Sequence, residues 1–268
     1  MKIPIQYSRN HLNRRSFLTR ASLLGSATLL PVSALARDDA DADDDHLRPG
    51  DREILIAAEI AEALAVTTYT NIINQAPFFT RLPVDDQGYL EAARQEEMSH
   101  YLLEASVTGE QSPFSKFYYP KGMFSDAQTT LNILVTLEDA FIAAYVVGVR
   151  NFSTSNLRVT AARIMGIESD HRTLVRVLAA DVAAQDGGPI EMVTGAQGIA
   201  ESVDPPNNNG YERTLKWTQI SQAVAALTPF ADPAAAAAAG FDTTVSFDFV
   251  PFTPVLPSPL GEFFGFGG

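Results

Sequence analysis

The sequence predicts an all-α chain: a four-helix bundle, an extra helix, and an irregular C-terminal extension. Three observations predict it. Apolar residues recur at helical spacing over four stretches between residues 51 and 186. Each stretch is about 24–30 residues long, and Pro- and Gly-bearing breaks separate them, as neighbouring helices of a bundle require. The first pair of stretches also shares a pattern of Glu, His and Tyr with the second pair.

Residues 1–36 are set apart from this bundle. Asn13-Arg14-Arg15-Ser16-Phe17-Leu18 resembles the twin-arginine export motif, and an apolar run from Ala21 to Leu35 follows it. That run is short for a membrane span. Ala34-Leu35-Ala36 has the small-residue pattern of a cleavage site. The segment is therefore expected to be a twin-arginine signal peptide. Its route, which carries folded proteins, would leave the chain periplasmic or secreted. Residues 37–50, with the Asp/Ala run Asp38 to Asp45, read as a solvated acidic linker.

The first helix is expected from about Asp51 to Gln75, where Ile54, Ala57, Ala58, Ala61, Leu64, Ala65 and Thr68 share a face. Pro77 and Pro83 break it. The second begins near Asp85-Asp86, which read as its cap, and ends near Thr108-Gly109. A loop with Pro113, Pro120 and Gly122 follows. Ser125-Asp126 opens the third helix, which ends near Phe152. The fourth runs from Ser155-Asn156 to just before Gly187-Gly188.

Chemistry concentrates in two strings, Glu97-Met-Ser-His100 and Glu168-Ser-Asp-His171. Of the four histidines, His11 falls in the export segment and His46 in the linker, so both histidines of the predicted bundle follow a Glu by three residues. On a helix that spacing presents a carboxylate and an imidazole side by side. Such a pair suits a first-row transition metal that takes oxygen and nitrogen ligands. Each string follows a helix with a further Glu, and seven residues after that Glu comes a Tyr: Glu62 with Tyr69, and Glu138 with Tyr145. The order is Glu, Glu-x-x-His, Glu, Glu-x-x-His. Two helix pairs related by a pseudo-twofold axis would bring six side chains together. Glu62 and Glu138 lie among apolar neighbours, where an ionised carboxylate needs a compensating partner. The competing account is a set of salt bridges, with Arg94, Arg163 or Arg172 turned inward.

With these residues the chain resembles the ferritin-like superfamily, and more closely the exported ferritin-like-domain proteins related to plant desiccation-associated proteins. The resemblance spans roughly residues 50–185. It implies a dinuclear site for two transition-metal ions, iron or manganese. Glu62, Glu97 and His100 would serve one ion and Glu138, Glu168 and His171 the other, with Glu97 and Glu168 as bridges. Asp170 is one candidate to hold a histidine ring nitrogen. Tyr69 and Tyr145 would hydrogen-bond to the ligands or carry an electron, and they read at least as well as ordinary core tyrosines. Glu59 and Glu104 are expected to be solvated or capping acids, Glu96 to face solvent, and Asp139 to lie at the surface or an interface.

Charge and composition exclude other classes. The export segment holds Lys2, Arg9, Arg14, Arg15 and Arg20 and no acid. Without it the chain carries a net charge of about −18, which argues against nucleic acid or anionic lipid as a partner. There is no Cys, which rules out an iron–sulfur cluster, a thiolate-bound metal and a cysteine nucleophile. No segment after residue 36 reads as long and apolar enough to cross a membrane.

Residues 187–268 read as a C-terminal extension. One helix is expected over 212–228, stopped by Pro229 and Pro233. An alternating stretch follows from Thr243 to Phe252, then a Pro/Gly/Phe-rich tail. The extension would pack on the bundle or on a second subunit of a homo-oligomer. Two functions from different classes remain open. One is a di-metal oxidoreductase acting on a small molecule such as O₂, peroxide or ferrous ion. The other is a non-enzymatic stress- or desiccation-related structural or metal-binding protein. The lack of Cys disfavours a rubrerythrin-like peroxidase with its own relay, and the long extension disfavours an iron-storage cage.

Overall fold

Four long antiparallel-type helices build the molecule in the order the apolar periodicity predicts. The computed structural model describes residues 47–186 and 217–255. The expected export segment 1–36, residues 37–46 of the linker, residues 187–216 and the tail 256–268 lie outside the described residues. Helix α1 spans Pro49–Gln75, α2 Val84–Thr108, α3 Ala127–Asn151 and α4 Ser155–Asp186. A 3₁₀ turn at Phe79–Arg81 joins α1 to α2.

Local chemistry sets the helix ends. Pro49 occupies the first turn of α1, where its missing N–H costs nothing. Asp51 in that turn accepts hydrogen bonds from the backbone N–H (2.9 Å) and the hydroxyl of Ser153, which ties the start of α1 to the α3–α4 junction. Asp85 and Asp86 lie inside the first turn of α2 and do not cap it; Pro83 holds the cap position, and the two acids face the positive end of the helix dipole. Gly109, at φ 72°, ends α2 in the left-handed conformation that glycine adopts without a Cβ penalty. Asp126 caps α3 by accepting from Thr129 N–H at 2.8 Å.

The bundle is two hairpins. α1 packs mainly on α2, and α3 mainly on α4; across the two hairpins α1 meets α3, and α2 meets α4, more loosely. Their side chains therefore have room to project between them. Gly148 permits the close α3–α4 contact: a Cβ there would sit 2.8 Å from the Phe152 ring and 3.3 Å from Ala161 Cβ. Helix α3 departs from the expectation about membrane spans. It has 25 residues, with an 18-residue window of mean hydropathy 1.6, enough in length and composition to cross a membrane, yet it lies as a core helix of the bundle. Glu138, Asp139 and thirteen other residues of α3 are buried.

The extension differs from its sequence reading. Its helix α5 spans Ile220–Ala231, starting later than residue 212 and running through Pro229. Pro229 cannot donate to the carbonyl four residues back, but it falls in the last turn and only Phe230 and Ala231 follow it in the helix. Pro233 begins the short helix α6 (Pro233–Ala238), capped by Asp232, rather than stopping its predecessor. The alternating stretch forms β2 (Asp242–Asp248), which pairs antiparallel with β1 (Lys116–Tyr119) inside the loop that follows α2. Sequence pattern gave no sign of β1, because its partner lies more than 120 residues away. Tyr119, Phe124, Phe230 and Phe247 stack edge-on around this ribbon. The Tyr119 and Thr68 hydroxyls meet at 3.0 Å and fix the ribbon to α1.

Candidate metal centre

All six residues of the repeated pattern come together at the middle of the bundle. Glu62 arrives from α1, Glu97 and His100 from α2, Glu138 from α3, and Glu168 and His171 from α4. The four glutamates are 0–2% exposed, and His171 is 3% exposed. Two groups of ligand-type atoms form, each with its atoms within 4.8 Å of one another: Glu62, Glu97, His100 and Glu168, and Glu97, Glu138, Glu168 and His171. Glu97 and Glu168 belong to both groups.

Close approach here is not mutual hydrogen bonding. His100 Nδ1 lies 3.2 Å from Glu168, 3.4 Å from Glu97 and 3.6 Å from Glu62. His171 Nδ1 lies 3.0 Å from Glu97 and 3.5 Å from Glu168. Yet both Nδ1 atoms, both oxygens of Glu97 and of Glu168, and one oxygen each of Glu62 and Glu138 have no hydrogen-bond partner. Buried polar atoms are nearly always paired. Eight unpaired atoms that converge from four helices fit cations placed among them, and their oxygen and nitrogen donors suit first-row metals.

The remaining ligand atoms are held from outside. Tyr69 donates to Glu138 Oε1 at 2.6 Å, and Tyr145 donates to Glu62, so each phenol orients the carboxylate of the other hairpin. Burial, reinforced by the surrounding carboxylates, keeps both phenols well above their usual range. Glu96 Oε2 meets His171 Nε2 at 2.9 Å, leaving Nδ1 turned to the centre. This corrects in part the expectation that Glu96 faces solvent: its side chain is 42% exposed, yet its carboxylate reaches across to α4. Asp170, the earlier candidate for this role, is exposed.

Charge balance in the cluster follows from burial and neighbours. Burial raises Glu62 and Glu138 well above the carboxylate range, and the charge on Glu97 adds to it. Burial also acts on Glu97, but the charge of His171 and the closeness of both imidazoles outweigh it and hold Glu97 low. Burial lowers both histidines, and the carboxylates around them reverse this and raise them well above 6.5. The arginines of the salt-bridge account are engaged elsewhere. Arg172 Nη1 donates to Asp139 Oδ1 at 2.7 Å, Arg94 lies over the Phe252 ring at 5.3 Å, and Arg163 is exposed.

Three acids are buried that the sequence reading left solvated, at a cap, or at a surface or interface. Asp139 is buried in its pair with Arg172. Glu59 accepts from the Thr108 hydroxyl, and Glu104 from the Tyr145 hydroxyl at 2.7 Å; the two are 0% and 3% exposed. Burial raises Glu104 well above its usual range, and the neighbouring charge of Glu59 adds to that. The available signal was helical spacing. Glu59 is three residues before Glu62 and Glu104 four after His100, so each shares its ligand's face.

A helical bundle whose facing helices bring Glu and Glu-x-x-His sets to one buried point defines the ferritin-like class of carboxylate proteins. Residues 50–181 match the family model described as ferritin-like domain, and this stretch has the fold of a ferritin-like bundle. Among curated proteins no sequence relative matches the chain.

Proposed function

We propose that the bundle holds a dinuclear centre of iron or manganese. Glu62, Glu97 and His100 would bind one ion, Glu138, Glu168 and His171 the other, with Glu97 and Glu168 bridging them. The observation that carries this reading is the set of eight buried, unpaired ligand atoms in two groups that share two glutamates. When bound, such a pair of ions supplies reversible changes of oxidation state towards O₂, peroxide or ferrous ion. The protein's own contribution is positional. Tyr69 and Tyr145 fix Glu138 and Glu62, Glu96 fixes the ring of His171, and the packed helices keep bulk water from the ligand oxygens.

We further propose that the protein is exported with its fold complete, supported by the twin-arginine-like string Asn13 to Leu18 and the Ala34-Leu35-Ala36 site. Purification without a tag, followed by metal analysis, tests the centre. The wild type is expected to hold two ions per chain, and His100→Ala with His171→Ala less than a tenth of that. Metal near zero in the wild type would sink the dinuclear reading. Two ions per chain with no reaction towards O₂, peroxide or ferrous ion would move the protein to the non-enzymatic metal-binding class.

A further inference from the structure

The repeat that pairs Glu97 with Glu168 and His100 with His171 also pairs Glu96 with Ile167 and Tyr69 with Tyr145. Behind the ligands these counterparts behave differently. Glu96 Oε2 meets His171 Nε2 at 2.9 Å, and the Tyr69 ring packs edge-on to the His171 ring with centroids 5.9 Å apart. The His171 imidazole is thus held at its far nitrogen and along its ring, and its side chain is 4% exposed. His100 has neither support. Ile167, half-buried, takes the place of a second Glu96 and offers nothing to accept an N–H. Among the described residues no carboxylate lies within ion-pair reach of His100 Nε2, and no aromatic ring packs on its imidazole. Tyr145, the counterpart of Tyr69, instead gives its hydroxyl to Glu62 and Glu104. The His100 side chain is 11% exposed, and of the six ligand-type residues it is the one least shielded from solvent.

A carboxylate on the far ring nitrogen keeps the N–H there, leaves the near nitrogen to bind a cation, and adds negative charge behind the ligand. Such partners are worth about 10–100-fold in metal affinity. A ring without a fixed neighbour also has more rotational freedom to lose when it binds. We propose that the two sides of the centre are unequal: the Glu138–His171 side, backed by Glu96, takes the first ion and keeps it, and the Glu62–His100 side holds the exchangeable one. Glu96 is a positioning residue that acts through His171. Ile167 leaves the other side without its equivalent, and the greater exposure of His100 puts exchange with solvent on that same side. The inference rests on the dinuclear reading and adds to it the order in which the two sides fill.

Equilibrium dialysis against Co²⁺ with metal analysis tests it, in variants that each keep one side. His100→Ala retains the Glu138–His171 side and is expected to bind its first ion about tenfold more tightly than His171→Ala does. Equal sides predict equal first affinities in these two variants. Glu96→Ile copies the second half of the bundle at a position that is 42% exposed. It should weaken the first ion about tenfold in the His100→Ala background and leave it unchanged in the His171→Ala background. A general loss of stability would instead weaken both. In the otherwise intact chain Glu96→Ile should still take two ions, the first of them more weakly, and that full loading shows the bundle is kept. Equal first affinities, the reverse order, or a Glu96→Ile effect shared by both backgrounds overturns the inequality and leaves a wild type with two ions standing as dinuclear. A wild type that binds no Co²⁺ tightly overturns the dinuclear reading itself.

Discussion

His100 and His171 sit among more carboxylates than they can neutralise, and this governs how the site responds to pH. Burial alone would lower both imidazoles, but the facing glutamates raise them above 6.5, while burial raises Glu62 and Glu138 above 4.5. In the metal-free protein these four groups hold more protons when folded than when unfolded. Their contribution is therefore complete below the unfolded values and is lost as pH rises through the folded ones. Metal ligands must be deprotonated, so loading works in the opposite sense. Titration with Mn²⁺ near pH 7 is expected to release protons, and apparent affinity should rise with pH. Comparing calorimetric titrations in buffers of different ionisation enthalpy measures the release; a buffer-independent heat would contradict it. That these six Glu and His side chains would meet in the core was legible from residue spacing. The buried acids beside them were not, because a helix packed on most sides hides the difference between a solvated and a buried face. Glu96 was missed for another reason: backbone angle predicts where a side chain starts, not how far it reaches.

At the scale of elements, the bundle helices were readable because their ends carry local signals: Pro at the start of α1, Gly109 after α2, Asp126 before α3. The β1–β2 ribbon was not, since a pairing between residues 116–119 and 242–248 leaves no local trace. Proline misled in the extension, where the helix runs through Pro229 into its last turn and Pro233 starts the next helix, the position that tolerates it. The α3–α4 crossing gives a sharp test. Gly148→Ala gains about 1 kcal/mol in helix propensity. It also places a methyl 2.8 Å from the Phe152 ring and 3.3 Å from Ala161, both buried. Overpacking of that kind costs about 1–3 kcal/mol, so the net change should be destabilising. Thermal melting of the variant is expected below the wild type; a higher midpoint would show that the Phe152 ring yields freely.

At the scale of the whole molecule, the extension acts as a clasp across the bundle. Phe249 packs edge-on to Tyr101, Phe252 lies under Arg94, and Val255 N–H donates to Gln95 at 2.8 Å. All three contacts fall on α2, the helix that carries Glu97 and His100. Deleting residues 241–268 removes these contacts and uncovers Phe117, Tyr119 and Phe124. Loss of several half-buried aromatic side chains should cost about 3 kcal/mol. Denaturant unfolding of the truncated protein measures it, and an unchanged midpoint would mean the clasp contributes nothing to stability.

The Lys116–Asp248 pairing also imposes an order in time. A ribosome releases the chain from the N-terminus, and the two helical hairpins can close as soon as their own residues have emerged. The strand at Lys116–Tyr119 must wait, with Phe117 and Tyr119 uncovered, until synthesis has run more than 120 residues further. Assembly thus has a late, long-range final step, the slow kind of contact to form. For that interval the nascent bundle is a helical protein with one exposed edge.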